Sequence, residues 1–236
     1  MSSPSTLRRL AQRLLPLLDL TGHDADEAGI RRLCARARTP AGNVAAVCIA
    51  PRFVPLAKEL LKGSAVPVSA LAVEDPATLI ASGIDEIDLA LPFGDDLGAV
   101  KALVAATRAA GGRKVLVKAV LETGRLADPA RIRAVAEAAI AGGADMLVTA
   151  SETAQPGSSI DAATILLKLI AEWQRRHRWI GFKAAGGIRT LSDAQPYLAL
   201  YDRVLGEGAA SAAGFRIGGD ALLNDVLLAL GLPVEE

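Results

Sequence analysis

The sequence is short of bulk. Four Phe, two Trp and two Tyr give its 236 residues an aromatic share of 3%, so a core has to be packed from Ala, Val, Leu and Ile. Cysteine is equally scarce. Two in 236 residues cannot form the disulfide framework of a small secreted domain, which points to a reducing, cytoplasmic setting. Neither sign of charge is in excess, with 26 Lys plus Arg against 26 Asp plus Glu. That balance argues against a nucleic-acid partner, whose binding surface would carry a basic excess. Combined with 51% hydrophobic residues, it also excludes a disordered chain. No apolar run reaches the roughly 18 residues of a membrane span, so no membrane partner is expected. No linker or low-complexity tract divides the chain, and the expectation is one domain over residues 1–236.

Short apolar runs alternate with longer amphipathic stretches. Leu15–Leu20, Val44–Ala50, Val66–Val73, Glu86–Leu91, Lys114–Leu121, Met146–Ala150, Trp179–Ala184 and Arg203–Gly206 are the candidate strands. Asp24–Arg36, Arg52–Lys62, Asp75–Ser82, Leu97–Ala110, Asp128–Ala141, Ile160–Arg176, Ser192–Leu198 and Ala221–Leu230 are the candidate helices. Leu7, Leu10, Leu14 and Leu15 add a short N-terminal amphipathic helix, which Ser5 could cap. Strict alternation of strand and helix implies a parallel sheet covered by helices. Eight such units fit a (β/α)8 TIM barrel. An open doubly wound sheet would show a glycine fingerprint after its first strand, where this chain has Asp19-Leu20-Thr21-Gly22-His23.

Strand residues of a barrel alternate between interior and helix layer. Polar residues among apolar ones mark the inward set: Asp19 with Leu17; Ala46, Cys48 and Ala50; Asp88 and Ala90; Leu116, Lys118 and Val120; Met146, Val148 and Ala150; Gly181 and Lys183. Two aspartates and two lysines thus converge near the C-terminal mouth, where such barrels hold their sites. They form either a structural ion-pair network or a reactive centre. A lysine amine attacks a carbonyl only when neutral, and both desolvation and a neighbouring cation favour that form. A nearby aspartate can move protons. The same residues would also suit an anion clamp. Gly186-Gly187 and Gly218-Gly219 precede helices, where backbone N–H groups bind anions or simply make tight turns.

L-L-D-L-T (17–21), T-P-A-G-N-V-A-A-V-C-I-A-P-R-F (39–53), D-E-I-D-L-A-L-P (85–92), V-L-V-K-A-V-L-E-T-G-R-L (115–126), A-G-G-A-D-M-L (141–147) and G-F-K-A-A-G-G-I-R-T (181–190) cover much of the chain. In these segments it resembles the 2-deoxyribose-5-phosphate aldolases, class I aldolases with a (β/α)8 fold. The resemblance implies that Asp88 matches the proton-relay aspartate and Lys183 the second active-site lysine. It places Lys118, Asp19 and Cys48 on the same mouth, Gly186 and Gly187 in the phosphate cradle with Arg189 close behind, and Gly218 at the glycine opening the last helix.

The departures from the family pattern are as informative. The family's imine-forming lysine lies in a strand-six segment like F-I-K-T-S-T-G, and M-L-V-T-A-S-E (146–152) stands there, with Val148 at the lysine position and Glu152 at a phosphate-site glycine. Asp220 replaces a serine at the last helix, where it can cap the helix but repels a phosphate. The loop after strand three, Val73-Glu74-Asp75-Pro76, is shorter than the family's.

Three functions follow as expectations. The first is a carbon–carbon lyase acting on a small, unphosphorylated aldehyde or ketone, with its amine relocated to Lys183 or Lys118 and Asp88 as acid and base. The second is a catalytically inactive aldolase relative that binds a small molecule or regulates a partner. The third is metal-assisted chemistry at Asp19, Asp88, Glu152 and Asp220. No cofactor or metal is implied by the first. The partners expected are a small carbonyl substrate and, through an apolar helix face, a homodimer. His23 could reach the mouth, Cys34 reads as helix core, and Arg175-Arg176-His177-Arg178 reads as a helix-end surface.

Overall fold

The computed structural model describes residues 3–72, 75–94, 96–152, 154–175 and 177–234. Eight parallel strands close a barrel: β1 (Leu18–Gly22), β2 (Ala46–Ile49), β3 (Val68–Ala72), β4 (Glu86–Ala90), β5 (Leu116–Val120), β6 (Met146–Val148), β7 (Gly181–Ala184) and β8 (Phe215–Gly218). Each strand pairs with the next in sequence, and β8 closes on β1 through Leu18–Ile217 and Asp19–Gly218. A helix α1 (Pro4–Leu14) precedes the barrel. Around it run α2 (Glu27–Arg36), α3 (Val54–Leu60), α4 (Pro76–Ala81), α5 (Leu97–Gly111), a single turn α6 (Thr123–Leu126), α7 (Pro129–Gly142), α8 (Ile160–Gln174), α9 (Leu191–Leu205) and α10 (Ala221–Leu230).

The helices start where side chains can satisfy their free N–H groups. Asp26, Asp75, Asp96, Asp128, Ser159 and Thr190 each accept from the first turn of the helix that follows, and Thr190 with Asp193 forms a reciprocal capping box. Among the described residues, no helix is long and apolar enough to cross a membrane.

The two faces of the strands divide as the parity predicts. Leu20, Val47, Ile49, Ile87, Leu89, Val117, Leu147, Phe182 and Ile217 join the large apolar layer beneath the helices, whereas Val120, Val148 and Ala185 form a separate small cluster inside the barrel, with Leu71 against it.

Several boundaries differ from expectation. Leu15–Leu17 is a 3-10 turn rather than strand, because Pro16 has no N–H for the ladder and a fixed φ. Ser3, not Ser5, caps α1. Arg203–Gly206 is not the eighth strand. Val204 and Leu205 continue the apolar side of α9, which runs well past the expected Leu198 and ends on Gly206. The strand is Phe215–Gly218, disguised by Arg216 at its centre. Arg52–Lys62 divides into a 3-10 turn at Pro51–Phe53 and α3. Val73, Glu74 and Arg176, which ended or belonged to expected elements, lie outside the described residues.

Candidate functional site

Inside the barrel the inward parity assembles one charged lattice. Lys118 Nζ stands 2.9 Å from Asp19 Oδ2, 3.0 Å from Glu86 Oε2 and 2.5 Å from Asp88 Oδ1. Lys183 Nζ lies 2.8 Å from Asp19 Oδ2 and 2.8 Å from Asp88 Oδ2. Arg216 grips both oxygens of Glu86 at 2.7 Å, and its Nη1 is 3.6 Å from Asp19. Ser69 Oγ donates to Asp88 Oδ1 at 2.7 Å. Among the described residues these six are the only buried Asp, Glu, Lys and Arg, so three carboxylates meet three cations and the interior is neutral. The lattice is closed to solvent, with Lys118 0%, Lys183 3% and Asp88 5% exposed.

Burial alone would favour the uncharged form of every member. The partners reverse that. Against the effect of burial, Lys118 and Lys183 hold Asp19 down from 3.8 to about 2, and they lower Asp88 further. Burial likewise pushes both lysines down, but Asp19 and Asp88 outweigh it, joined by Glu86 at Lys118. Lys183 ends above 10.5 and Lys118 well above. The expectation that Lys118 makes Lys183 a neutral amine is therefore corrected. Lys118 does push in that direction, but the two carboxylates touching Lys183 push harder.

On the mouth side of the lattice the interior becomes apolar. Leu71, Val120 and Ala185 each lie two residues closer to the C-terminal end of their strand than Ser69, Lys118 and Lys183. Val148 joins them and is in register with both Val120 and Lys183. Strand six thus contributes hydrocarbon to this wall through Val148.

Around this patch, His23 follows β1 and its Nε2 lies 3.9 Å from Cys48 Sγ. Burial lowers the His23 pKa, keeping the ring neutral, and raises that of the Cys48 thiol well above normal. Glu152 Oε1 accepts from the backbone N–H of Asp220 at 3.4 Å, so a side-chain carboxylate occupies the N-terminus of α10. Asp220 does not cap that helix with its side chain. It pairs with Arg36 at 3.0 Å, and Arg36 also reaches Asn224. Gly218 makes room for Lys183, since a Cβ there would lie 3.1 Å from Lys183 Cε and 2.8 Å from Ala185 Cβ. Gly186 takes φ +96° and its carbonyl accepts from Ser158 N–H at 3.0 Å, joining the loops after β6 and β7. Gly187 and Arg189 are exposed, and Arg189 is tied through its backbone N–H to Asp193.

The structure therefore gathers Asp19, Asp88, Lys118 and Lys183 in one cluster, with Cys48 and Val148 lining the same interior and Glu152 and Asp220 at the rim. It does not gather Asp19, Asp88, Glu152 and Asp220 as a metal ligand set. The first two are bound to lysines and Asp220 to Arg36, and among the described residues no three His, Cys, Asp or Glu side chains are placed to hold a metal ion. Glu86, Arg216 and Ser69 belong to the lattice but were not read from the sequence. Glu86 shares the parity of Asp88, which was a usable signal. Arg216 was hidden by the misplaced eighth strand. Cys34 is buried on α2, as expected, with its thiol raised to about 11 by burial. His177 is exposed at the end of α8, its ring 4.5 Å from that of Trp173.

No protein-family model matches the sequence. Solved structures match its shape. Among them are putative deoxyribose-phosphate aldolases from Toxoplasma gondii ME49, with a TM-score of 0.86, 21% identity and 97% of each chain covered, and from Coccidioides immitis, with a TM-score of 0.76, 23% identity and coverage of 91% of this chain and 85% of that one. The chain shares the (β/α)8 barrel fold of these structures. The deoxyribose phosphate aldolase of Aeropyrum pernix, described as a unique tetramer, is similar over 98% of this chain and 99% of its own, with a TM-score of 0.68 and 20% identity. At these identities the likeness is one of fold.

Proposed function

We propose that this protein is an aldolase-like barrel without the imine-forming step, a non-cleaving relative that binds a small carbonyl or hydroxy compound. One observation carries this reading. Lys183 Nζ is held 2.8 Å from each of two carboxylates, while the neighbouring position on strand six is Val148. A lysine fixed as an ammonium ion has no lone pair with which to attack a carbonyl. At the rim, Glu152 Oε2 is a buried acceptor without a donor from the protein, which favours a ligand bearing hydroxyl groups. Glu152 at the start of α10 disfavours a phosphorylated one.

The competing reading, a carbon–carbon lyase using Lys183 with Asp88 as its acid and base, draws support from their 2.8 Å contact, which provides a ready proton acceptor. Borohydride treatment with short aldehydes and ketones, followed by intact mass measurement, separates the two. Our reading predicts an unchanged mass for the native protein. It predicts an adduct for Val148→Lys, where a desolvated amine would stand beside Lys183. A native adduct that disappears in Lys183→Met would establish the lyase reading instead. Deoxyribose 5-phosphate is expected to leave the melting temperature unchanged, and a large rise would refute the argument from Glu152. Assembly into a homodimer or larger oligomer is part of the proposal, supported by the tetramer of the Aeropyrum pernix protein. So is a cytoplasmic location, supported by two cysteines that are both free and buried.

A further inference from the structure

The N-terminal end of the barrel, opposite the mouth, opens into a cleft of about 820 Å³ at the starts of β3 to β8. That volume lies within the range of small-molecule sites, about 300 to 1,000 Å³. Its carboxylates are all engaged. Asp145 meets Arg108, Arg178 and the backbone N–H of Val117. Asp85 bonds Lys58 at 2.6 Å, and Glu86 is held by Arg216 and Lys118. Two further cations on the lining, Arg113 and Lys114, are exposed and take part in no ion pair among the described residues. The cleft therefore carries surplus positive charge.

Its wall includes Trp179, which is 52% exposed and stands among the few large apolar side chains that face solvent. The indole rests over Gly214, where a Cβ would come within 2.9 Å of Trp179 Cζ2, so the glycine makes this placement feasible. An exposed indole is a platform for stacking, and unpaired cations beside it bind an oxyanion.

We propose that this cleft binds a planar aromatic anion of the nucleoside monophosphate class, with the ring on Trp179 and the phosphate between Arg113 and Lys114. This site is independent of the charged lattice and of the function proposed for it, although Glu86 borders both.

The test uses the chain of residues 1–236 carrying Trp173→Phe, which leaves Trp179 as the sole tryptophan of the two in the sequence. Adenosine 5′-monophosphate should quench its fluorescence saturably, with adenosine and inorganic phosphate each binding more weakly. Charge reversal in Arg113→Glu/Lys114→Glu should raise Kd about tenfold or more. Calorimetry on Trp179→Ala should show the heat of binding lost, at an unchanged circular dichroism spectrum. Absence of saturable binding, an unaltered Kd in the charge-reversed variant, or equal affinity for phosphate alone would each overturn the proposal.

Discussion

On their outer faces the strands carry Leu20, Ile49, Val117, Leu147 and Phe182, and on their inner faces Asp19, Cys48, Lys118, Val148 and Lys183. The two faces belong to the same few residues of backbone, yet their energetics differ. Outside, each side chain is stabilised by leaving water, and its neighbours can be exchanged for others of similar volume. Inside, each charge costs several kcal/mol to desolvate, and it is tolerated only because its partners are fixed. The outer face thus explains why the barrel forms. The inner face makes demands that stability alone would not select, because a well-packed apolar interior is often as stable as a buried ion-pair network or more so.

Breaking the inner face should have the largest effect. Lys118→Met removes the cation shared by Asp19, Glu86 and Asp88. It should destabilise by roughly 3 to 5 kcal/mol in denaturant unfolding, since it strands buried carboxylates. A loss under about 1 kcal/mol would mean that the cluster relaxes easily. Breaking the outer face is next. Phe182→Ala should cost about 3 kcal/mol through the cavity it leaves beside Phe215. Its effect should be nearly the same from pH 5 to pH 8, since no charge is involved. The difference between the faces is sharpened by acid. Asp19 has its pKa depressed in the folded chain, from 3.8 to about 2. The stability it provides is complete above 3.8 and is lost as pH falls toward 2, about 2 kcal/mol in all. Asp19→Asn should reduce that slope and leave the part that Asp88 contributes, as seen in melting temperature against pH, whereas Phe182→Ala should retain it whole. The smallest effect belongs to His23. Its folded pKa lies below 6.5, so its contribution is present above 6.5 and lost as pH falls below it. His23→Gln should flatten that shallow region of the curve and leave the acid limb unchanged.

The outer face was easily legible in the sequence, because the alternation of apolar runs with amphipathic stretches reports burial against helices directly. The inner face was legible by parity. One polar residue between two apolar ones, as in I-D-L or V-K-A, sufficed to turn Asp88 and Lys118 inward. Val148 was singled out by the family resemblance instead, as the residue at the position of the family's lysine. Arg216 escaped because a long cation between Phe215 and Ile217 resembles a loop until its partner Glu86, 130 residues earlier, is known. The ionisation of Lys183 was misjudged for a related reason. A sequence displays which charges exist, but the sign of a pKa shift depends on which of them come within about 3 Å. Likewise, Asp220 next to a helix start looked like a cap, and only the fold brings Arg36 near enough to claim its carboxylate.

The most direct measurement is the titration of the lysine side chains by NMR, following the ε-methylene carbons of Lys183 and Lys118 with Lys183→Met and Lys118→Met for assignment. Both resonances should remain those of ammonium ions up to and beyond pH 10.5, the unperturbed value above which the folded protein holds them. A midpoint below about 8 at Lys183 would contradict the account, because it would reveal a neutral amine ready for a carbonyl in the heart of the barrel.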